Sequence, residues 1–311
     1  MRIKVLGSAA GGGFPQWNCG CPNCSRFRAG SLKGGARTQA QVAVSPSPGT
    51  WILLNASPDL RQQLLSDLDF APTGSRGTPI VAIVLTSADT DCVLGLLHLR
   101  EFQPLRIYAT DSVRRVICEE NSLFRTLERS SPPVRWETLP LDRPLPVVGA
   151  QSDYGSGAGG TLCCRAVPVG GKFPDYLSQH LDGVLPKKEA VIGLELSDKN
   201  KSFFYAPSLP DLDEFSKRAL QENPVALVDG TFWSDEELRK VRGEGKTARE
   251  IGHIPLSGPD GLLEQVVPRG ARRILIHLNN TNPILDEDSP AYRAVRDAGW
   301  EVAYDGMEIH L

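Results

Sequence analysis

Apolar positions along the chain keep two periods, and the places where one gives way to the other mark its elements. Alternation over Arg2 to Leu6 predicts a first strand, and Gln41 to Ser45 with Thr50 to Asn55, joined by Pro46-Ser47-Pro48-Gly49, predict a hairpin. Ser57-Pro58-Asp59 caps a helix through Leu60, Leu64 and Leu65, and Pro72 to Thr78 reads as a loop. The unbroken apolar run Ile80 to Leu85 is a buried strand; directly after it Val93, Leu94, Leu96, Leu97 and Leu99 recur at helical spacing, which predicts a helix from Val93 to Glu101. Leu105 to Tyr108 is a further strand and Ser112 to Arg129 a further helix.

From Trp136 to Val169 the pattern shifts to short strands punctuated by proline and glycine, and Gly170 to Lys188 reads as an exposed excursion. Strands at Ala190 to Leu196 and Lys201 to Tyr205 flank the turn Ser197-Asp198-Lys199-Asn200, a helix covers Leu212 to Gln221, and Ala226 to Val228 is a strand ending at Asp229. A helix at Gly258 to Val267, a strand at Arg273 to His277, a helix at Ala291 to Ala298 and a hairpin over Glu301 to Leu311 complete the chain. Two sheets held between outer helices would accommodate this mix, giving a mixed α/β class with residues 1–311 as one domain.

Composition narrows the function. With 41% hydrophobic residues the chain can bury a full core; the net charge of -3 and the scatter of Lys and Arg speak against nucleic acid. Without an apolar run of membrane length or an apolar signal core, no membrane is expected and the location expected is the cytoplasm. A reducing compartment also suits seven cysteines, an odd number, three of which crowd into Cys19-Gly20-Cys21-Pro22-Asn23-Cys24. Three thiolates at that spacing can converge on one tetrahedral ion, zinc by preference, in a loop whose glycines and prolines would not bury free thiols as a regular element does. The adjacent Cys163 and Cys164 and the isolated Cys118 read as small hydrophobes.

A second constellation stands at strand ends. The run Ile80 to Leu85 empties into Thr86-Ser87-Ala88-Asp89-Thr90-Asp91-Cys92, and the strands before Asp229 and His277 also terminate in ligand-type residues. Polar groups from like ends of several strands are how α/β folds assemble sites, although a single Asp89 or Asp229 capping a turn is as common. His253, between Gly252 and Ile254-Pro255, sits on a constrained loop suited to acid–base work, and Asp89 and His253 are the catalytic candidates. His98 and His310 read as structural and His180 as solvent-facing. The glycine-rich Gly7 to Gly13 lacks the endings of nucleotide-binding loops and is expected to pack against a site.

Several strings resemble the PqqB family of pyrroloquinoline quinone (PQQ) biosynthesis proteins: Gly7 to Cys19, Asn55 to Arg61, Gly95-Leu96-Leu97 with Leu99-Arg100-Glu101, Val228 to Thr231, Gly252-His253 and His277 to Pro283. The resemblance implies a metallo-β-lactamase fold, an αβ/βα four-layer sandwich. The H-x-H-x-D-H turn of that superfamily falls on Ser87, Asp89, Asp91 and Cys92, so both leading histidines of a two-metal site are missing and one active-site ion is implied. Its ligands would be Asp91, Cys92, Asp229 and His277, with Cys92 standing where PqqB-like sequences usually have histidine. That thiolate would suit zinc, so the ion is Fe2+ or Zn2+. Related phosphodiesterases suggest Asn280, or a water held by it, as fourth ligand of the structural zinc.

The activity implied is iron- and oxygen-dependent hydroxylation of a small-molecule substrate, the cross-linked Glu-Tyr precursor of PQQ. The alternatives are a non-catalytic carrier of PQQ or its precursor towards the periplasm, and a zinc hydrolase. A homodimer is the assembly expected.

Overall fold

Among the described residues of the computed structural model, fourteen strands form wherever β-branched and aromatic residues alternate or run together. In chain order they are β1 (Arg2–Gly7), β2 (Gln41–Ser47), β3 (Thr50–Leu54), β4 (Ile80–Val84), β5 (Arg106–Ala109), β6 (Arg135–Thr138), β7 (Leu145–Val147), β8 (Leu162–Pro168), β9 (Ile192–Asp198), β10 (Lys201–Ala206), β11 (Val225–Asp229), β12 (Arg272–Ile276), β13 (Glu301–Val302) and β14 (Glu308–His310). The structure describes residues 1–72, 74–75, 77–100, 104–129, 134–141, 143–147, 162–177, 183–198 and 201–311. His180, Glu101 and the turn residues Lys199 and Asn200 lie outside the described residues.

The strands make two seven-stranded sheets, ordered β14-β1-β2-β3-β4-β5-β6 and β13-β12-β11-β10-β9-β8-β7. In the first, β3 to β6 run parallel; in the second, β10 to β13 do, and the other neighbours are antiparallel. Alternate residues face alternate layers. Ile52, Leu54, Ala82 and Val84 of the first sheet meet Leu194, Phe203, Tyr205, Leu227 and Ile274 of the second in a shared core. Leu53, Ile83 and Ile107 turn outward onto a layer of helices, as do Phe204, Ala226, Val228 and Leu275 on the far side. Burial on both faces explains the unbroken apolar runs of β4 and β11. The result is the αβ/βα sandwich.

The helices are α1 (Pro22–Arg28), α2 (Leu60–Leu65), α3 (Thr90–Val93), α4 (Asp111–Cys118), α5 (Glu214–Glu222), α6 (Glu237–Arg242), α7 (Leu262–Gln265) and α8 (Pro290–Asp297). Several are shorter than periodicity predicts. The expected Ser112 to Arg129 helix stops at Cys118, where Asn121 Nδ2 donates to Val116 O at 2.6 Å, and resumes as a 3₁₀ segment, Ser122–Arg129. Val93 to Glu101 becomes α3 followed by a 3₁₀ segment, Leu94–Leu99. There Cys92 O accepts from Ala56 N and Gly95 N donates to Ala56 O, bonds that compete with a continuing helical ladder. Of Gly258 to Val267 only α7 is helical, because Gly258 and Asp260 take φ of 90° and 59°.

Two expectations about tertiary placement also change. Glu301 to Leu311 is not a hairpin: β13 pairs with β12 and β14 with β1, so the chain crosses between sheets through Tyr304 to Gly306. The excursion after Val169 is anchored rather than free, with Pro174 and Leu185 buried. Asp59 caps α2 by position only; its carboxylate accepts from Gln39 N at 2.8 Å.

Candidate metal centre and cysteine cluster

The parallel strands β4, β11 and β12 deliver the strand-end residues to one edge. After β4 the chain stays buried through Ala88, held where Asn55 Oδ1 accepts from Thr86 N at 2.8 Å, and α3 then presents Asp91. Asp229 is the last residue of β11, fully buried, and His277 follows β12 in a left-handed conformation with φ of 64°. His253 joins them from the 3₁₀ turn Arg249–Ile251, re-aimed by Gly252 at φ of 91°.

The donor atoms of Asp229, His253 and His277 lie within 4.8 Å of one another. Asp91 Oδ2 is 2.9 Å from His277 Nε2. Asp229 is densely bonded: Oδ1 accepts from Thr231 N at 3.0 Å and Thr231 Oγ1 at 2.6 Å, while Oδ2 accepts from Leu209 N at 2.8 Å and lies 2.7 Å from His253 Nδ1. Thr231 Oγ1 is also 2.8 Å from His277 Nδ1 and 3.1 Å from His253 Nδ1. The two imidazoles stack at 5.3 Å and 23°.

Of the four residues expected around one ion, His277 contacts Asp91 and shares the three-donor group with Asp229 and His253, while Asp91 itself stands outside that group. The sulfur of Cys92 instead lies 3.9 Å from Thr86 Oγ1, its side chain packing against the outer core, and it does not belong to the three-donor group. His253, expected only to move protons, stands inside that group. Thr231 appears in the sequence merely as part of a string; its spacing two residues after Asp229, which lets a hydroxyl fold back on the carboxylate, is the signal that could have singled it out.

Electrostatics set these groups apart. Burial, then the charge of Asp91, pushes the Asp89 carboxyl up to about 6, against a 2.9 Å bond from Ser87 Oγ. Burial would raise Asp91 as well, but its bond with His277 outweighs that and holds it below the usual carboxylate range. His277 is raised because that same bond overcomes its own burial. Burial and the charges of Asp91 and Asp89 drive the Cys92 thiol well upward. The pair Asp91 and His277 fits an ion: donors 2.9 Å apart match neighbouring positions around a metal with bonds of ~2.1 Å.

The cysteines form a second cluster. Pro22 opens α1 and Cys21 is its N-cap, so Cys21 and Cys24 are buried at a helix start rather than held in a loop. Asn280 reaches them from the turn after β12, its Nδ2 lying 3.0, 3.5 and 3.4 Å from the sulfurs of Cys19, Cys21 and Cys24, while its Oδ1 is buried without a partner. Exchanging the amide nitrogen and oxygen would aim an acceptor at the three sulfurs, so the set also fits a tetrahedral ion. Burial raises Cys21 to about 12; Cys19, whose burial is outweighed by hydrogen bonds from Cys21 and its neighbours, is lowered.

A cavity of about 210 Å³ adjoins the strand-end cluster, lined by Asp89, Lys172, Phe173, Lys246 and Gly252 among others. On another side the glycine-rich loop closes in, as expected: a Cβ on Gly11 would sit 3.7 Å from Asp91 Oδ2. No helix among the described residues is long and apolar enough to cross a membrane.

Residues 50–278 match the β-lactamase superfamily domain family. Over the full length of both chains, the sequence is 42% identical to the coenzyme PQQ synthesis protein B of Methylococcus capsulatus and 41% identical to that of an Azoarcus species. The crystal structure of Zn2+-bound PqqB from Methylobacterium extorquens superposes with a TM-score of 0.88 at 35% identity, covering all of both chains. A diphosphatase of the PhnP family, at 19% identity and a TM-score of 0.67, shares the fold over all of this chain and 97% of its own. Sequence and architecture agree along the whole length, and the chain belongs to the coenzyme PQQ synthesis protein B family.

Proposed function

We propose that this chain acts in PQQ biosynthesis as a metal- and oxygen-dependent hydroxylase of a small-molecule substrate derived from a cross-linked Glu-Tyr peptide. The observation that carries this reading is the donor set. Asp91 Oδ2 lies 2.9 Å from His277, which is grouped with Asp229 and His253, while Ser87 and Asp89 occupy the positions at which hydrolytic relatives place a second ion's histidines. Asp91, Asp229 and His277 would hold iron(II), which would supply the means of activating oxygen beside an organic substrate. Zinc is assigned to Cys19, Cys21 and Cys24 with Asn280 Oδ1, in keeping with a Zn2+-bound relative and a cytoplasmic, thiol-preserving setting for seven free cysteines.

The remaining work falls to side chains. Substrate enters by the cavity beside Asp89, where the Lys172 and Lys246 ammonium groups meet its carboxylates. Asp89, with a carboxyl at about 6, passes a proton through Oδ2, and Ser87 Oγ keeps that oxygen oriented. One oxygen atom enters the substrate; the other leaves as water at the expense of two protons and two electrons from a reductant.

The test is oxygen uptake by iron-loaded protein given the precursor and a two-electron reductant, with the product weighed by mass spectrometry. We expect uptake, a product one oxygen atom heavier, and loss of at least about 100-fold in Asp91→Asn. Binding of the precursor without uptake would sink the reading in favour of a carrier, and oxygen-independent ester cleavage by zinc-loaded protein in favour of a hydrolase.

A further inference from the structure

One hydroxyl touches every anchor of the strand-end cluster except Asp91. The Thr231 hydroxyl hydrogen is committed to Asp229 Oδ1 at 2.6 Å, an acceptor that already receives Thr231 N. Only lone pairs of Oγ1 then face the two imidazoles. His277 Nδ1 at 2.8 Å must therefore carry the hydrogen of that contact, and so must His253 Nδ1, which faces both Oγ1 at 3.1 Å and the acceptor Asp229 Oδ2 at 2.7 Å. In each neutral ring the lone pair is thereby left on Nε2. In a neutral His277 that lone pair faces Asp91 Oδ2 at 2.9 Å, two acceptors aimed at one point; either the proton whose bond raises His277 or a metal ion in its place relieves the repulsion.

We propose that Thr231 is a positioning residue that fixes the Nδ1–H tautomer of His277 and His253, keeping His277 Nε2 and Asp91 ready for a metal ion and His253 Nε2 free to accept a proton. Without the hydroxyl, His277 can turn to the Nε2–H tautomer, donate directly to Asp91 and withdraw both from coordination. Thr231 is 2% exposed and belongs to no group that would bind the ion itself, so its effect runs through the imidazoles. The inference rests on the metal site proposed above, but its first readout uses Zn2+ in place of iron and needs no turnover.

The experiment uses full-length protein with zinc at the cysteines, its active site filled with diamagnetic Zn2+ for NMR and left empty for titration. Nitrogen-15 NMR of labelled histidines at alkaline pH reads the tautomers, and anaerobic Fe2+ titration reads affinity, for wild type, Thr231→Ser, Thr231→Val and Thr231→Ala. Wild type and Thr231→Ser should show Nδ1–H for His277. Thr231→Val and Thr231→Ala should shift to Nε2–H and bind Fe2+ at least about 10-fold more weakly. The proposal is overturned if whichever of the two hydroxyl-free variants folds keeps Nδ1–H, or if Thr231→Ser loses as much as they do. Failure of wild type to bind Fe2+ would remove the proposed activity, while the tautomer would still decide the role of Thr231.

Discussion

At the scale of single residues, the chemistry of this protein is a matter of which side chains are kept from water and beside what. Cys19 and Cys92 are the same residue type, yet the first is lowered by its hydrogen bonds and the second driven up by burial and two neighbouring carboxylates. Since the thiolate is the nucleophile, metal-free protein treated with iodoacetamide at pH 8 should be alkylated at Cys19 at least ~10-fold faster than at Cys21 or Cys92, as read by peptide mass spectrometry. Equal labelling of Cys92 would show that its thiol is not shielded. The residue types of the site were legible in the sequence, because three cysteines in CxC-x-x-C spacing have few other uses and because aspartate and histidine recur at several strand ends, although any one of them could serve a turn. Thr231 was not, because a hydroxyl acquires its role only from the three side chains packed around it.

Elements show where local pattern yields to contact. The apolar spacing after Cys92 is genuinely helical, but Gly95 lies so close to the turn after β3 that a Cβ there would stand 2.2 Å from Ser57 O and 2.8 Å from Ala56 O. That approach, with Cys92 O and Gly95 N bonded to Ala56, tightens the helix into 3₁₀ geometry and fixes the segment bearing Asp91. Gly95→Ala should therefore cost about 3 kcal/mol in denaturant unfolding, more than a surface glycine such as Gly35, which has open space at its Cβ position. The long strands and α8, whose periodicity agrees with their packing, lie where the sequence puts them.

Across the whole molecule, the two ends of the chain lie side by side: β14 pairs with β1, and the junction carries a charge network. Lys4 Nζ, nearly buried, contacts Asp67 at 2.6 Å, Asp69 at 2.5 Å and Glu308 at 3.1 Å, and Arg2 contacts Asp69 and Glu308. Bonds from Lys4 and Arg2 hold Asp69 and Glu308 below their ordinary values of 3.8 and 4.5, so their stabilisation is present above those values and fades as pH falls beneath them. Lys4, raised by its carboxylates despite burial, contributes below 10.5 and loses its contribution as pH rises past its folded pKa. Lys4→Met should thus be less stable than wild type by about 1–2 kcal/mol between roughly pH 5 and 10, a modest figure because Asp69 and Glu308 are about one-third exposed; the gap should close in acid. A gap independent of pH would assign the loss to packing.

The amino-acid sequence by itself determined the α/β class, the strands that carry the core, and the residue types that gather at their ends, because hydrophobic periodicity and ligand spacing are local properties of the chain. Only the tertiary structure decided that the last two strands belong to different sheets, that the Cys92 sulfur lies beside Thr86 and that His253 stands in the three-donor group; it also supplied the contacts by which Asn280 meets cysteines more than 250 residues away. Those placements depend on how two sheets pack and which backbone groups must be satisfied where they meet, and no local window of sequence contains that information.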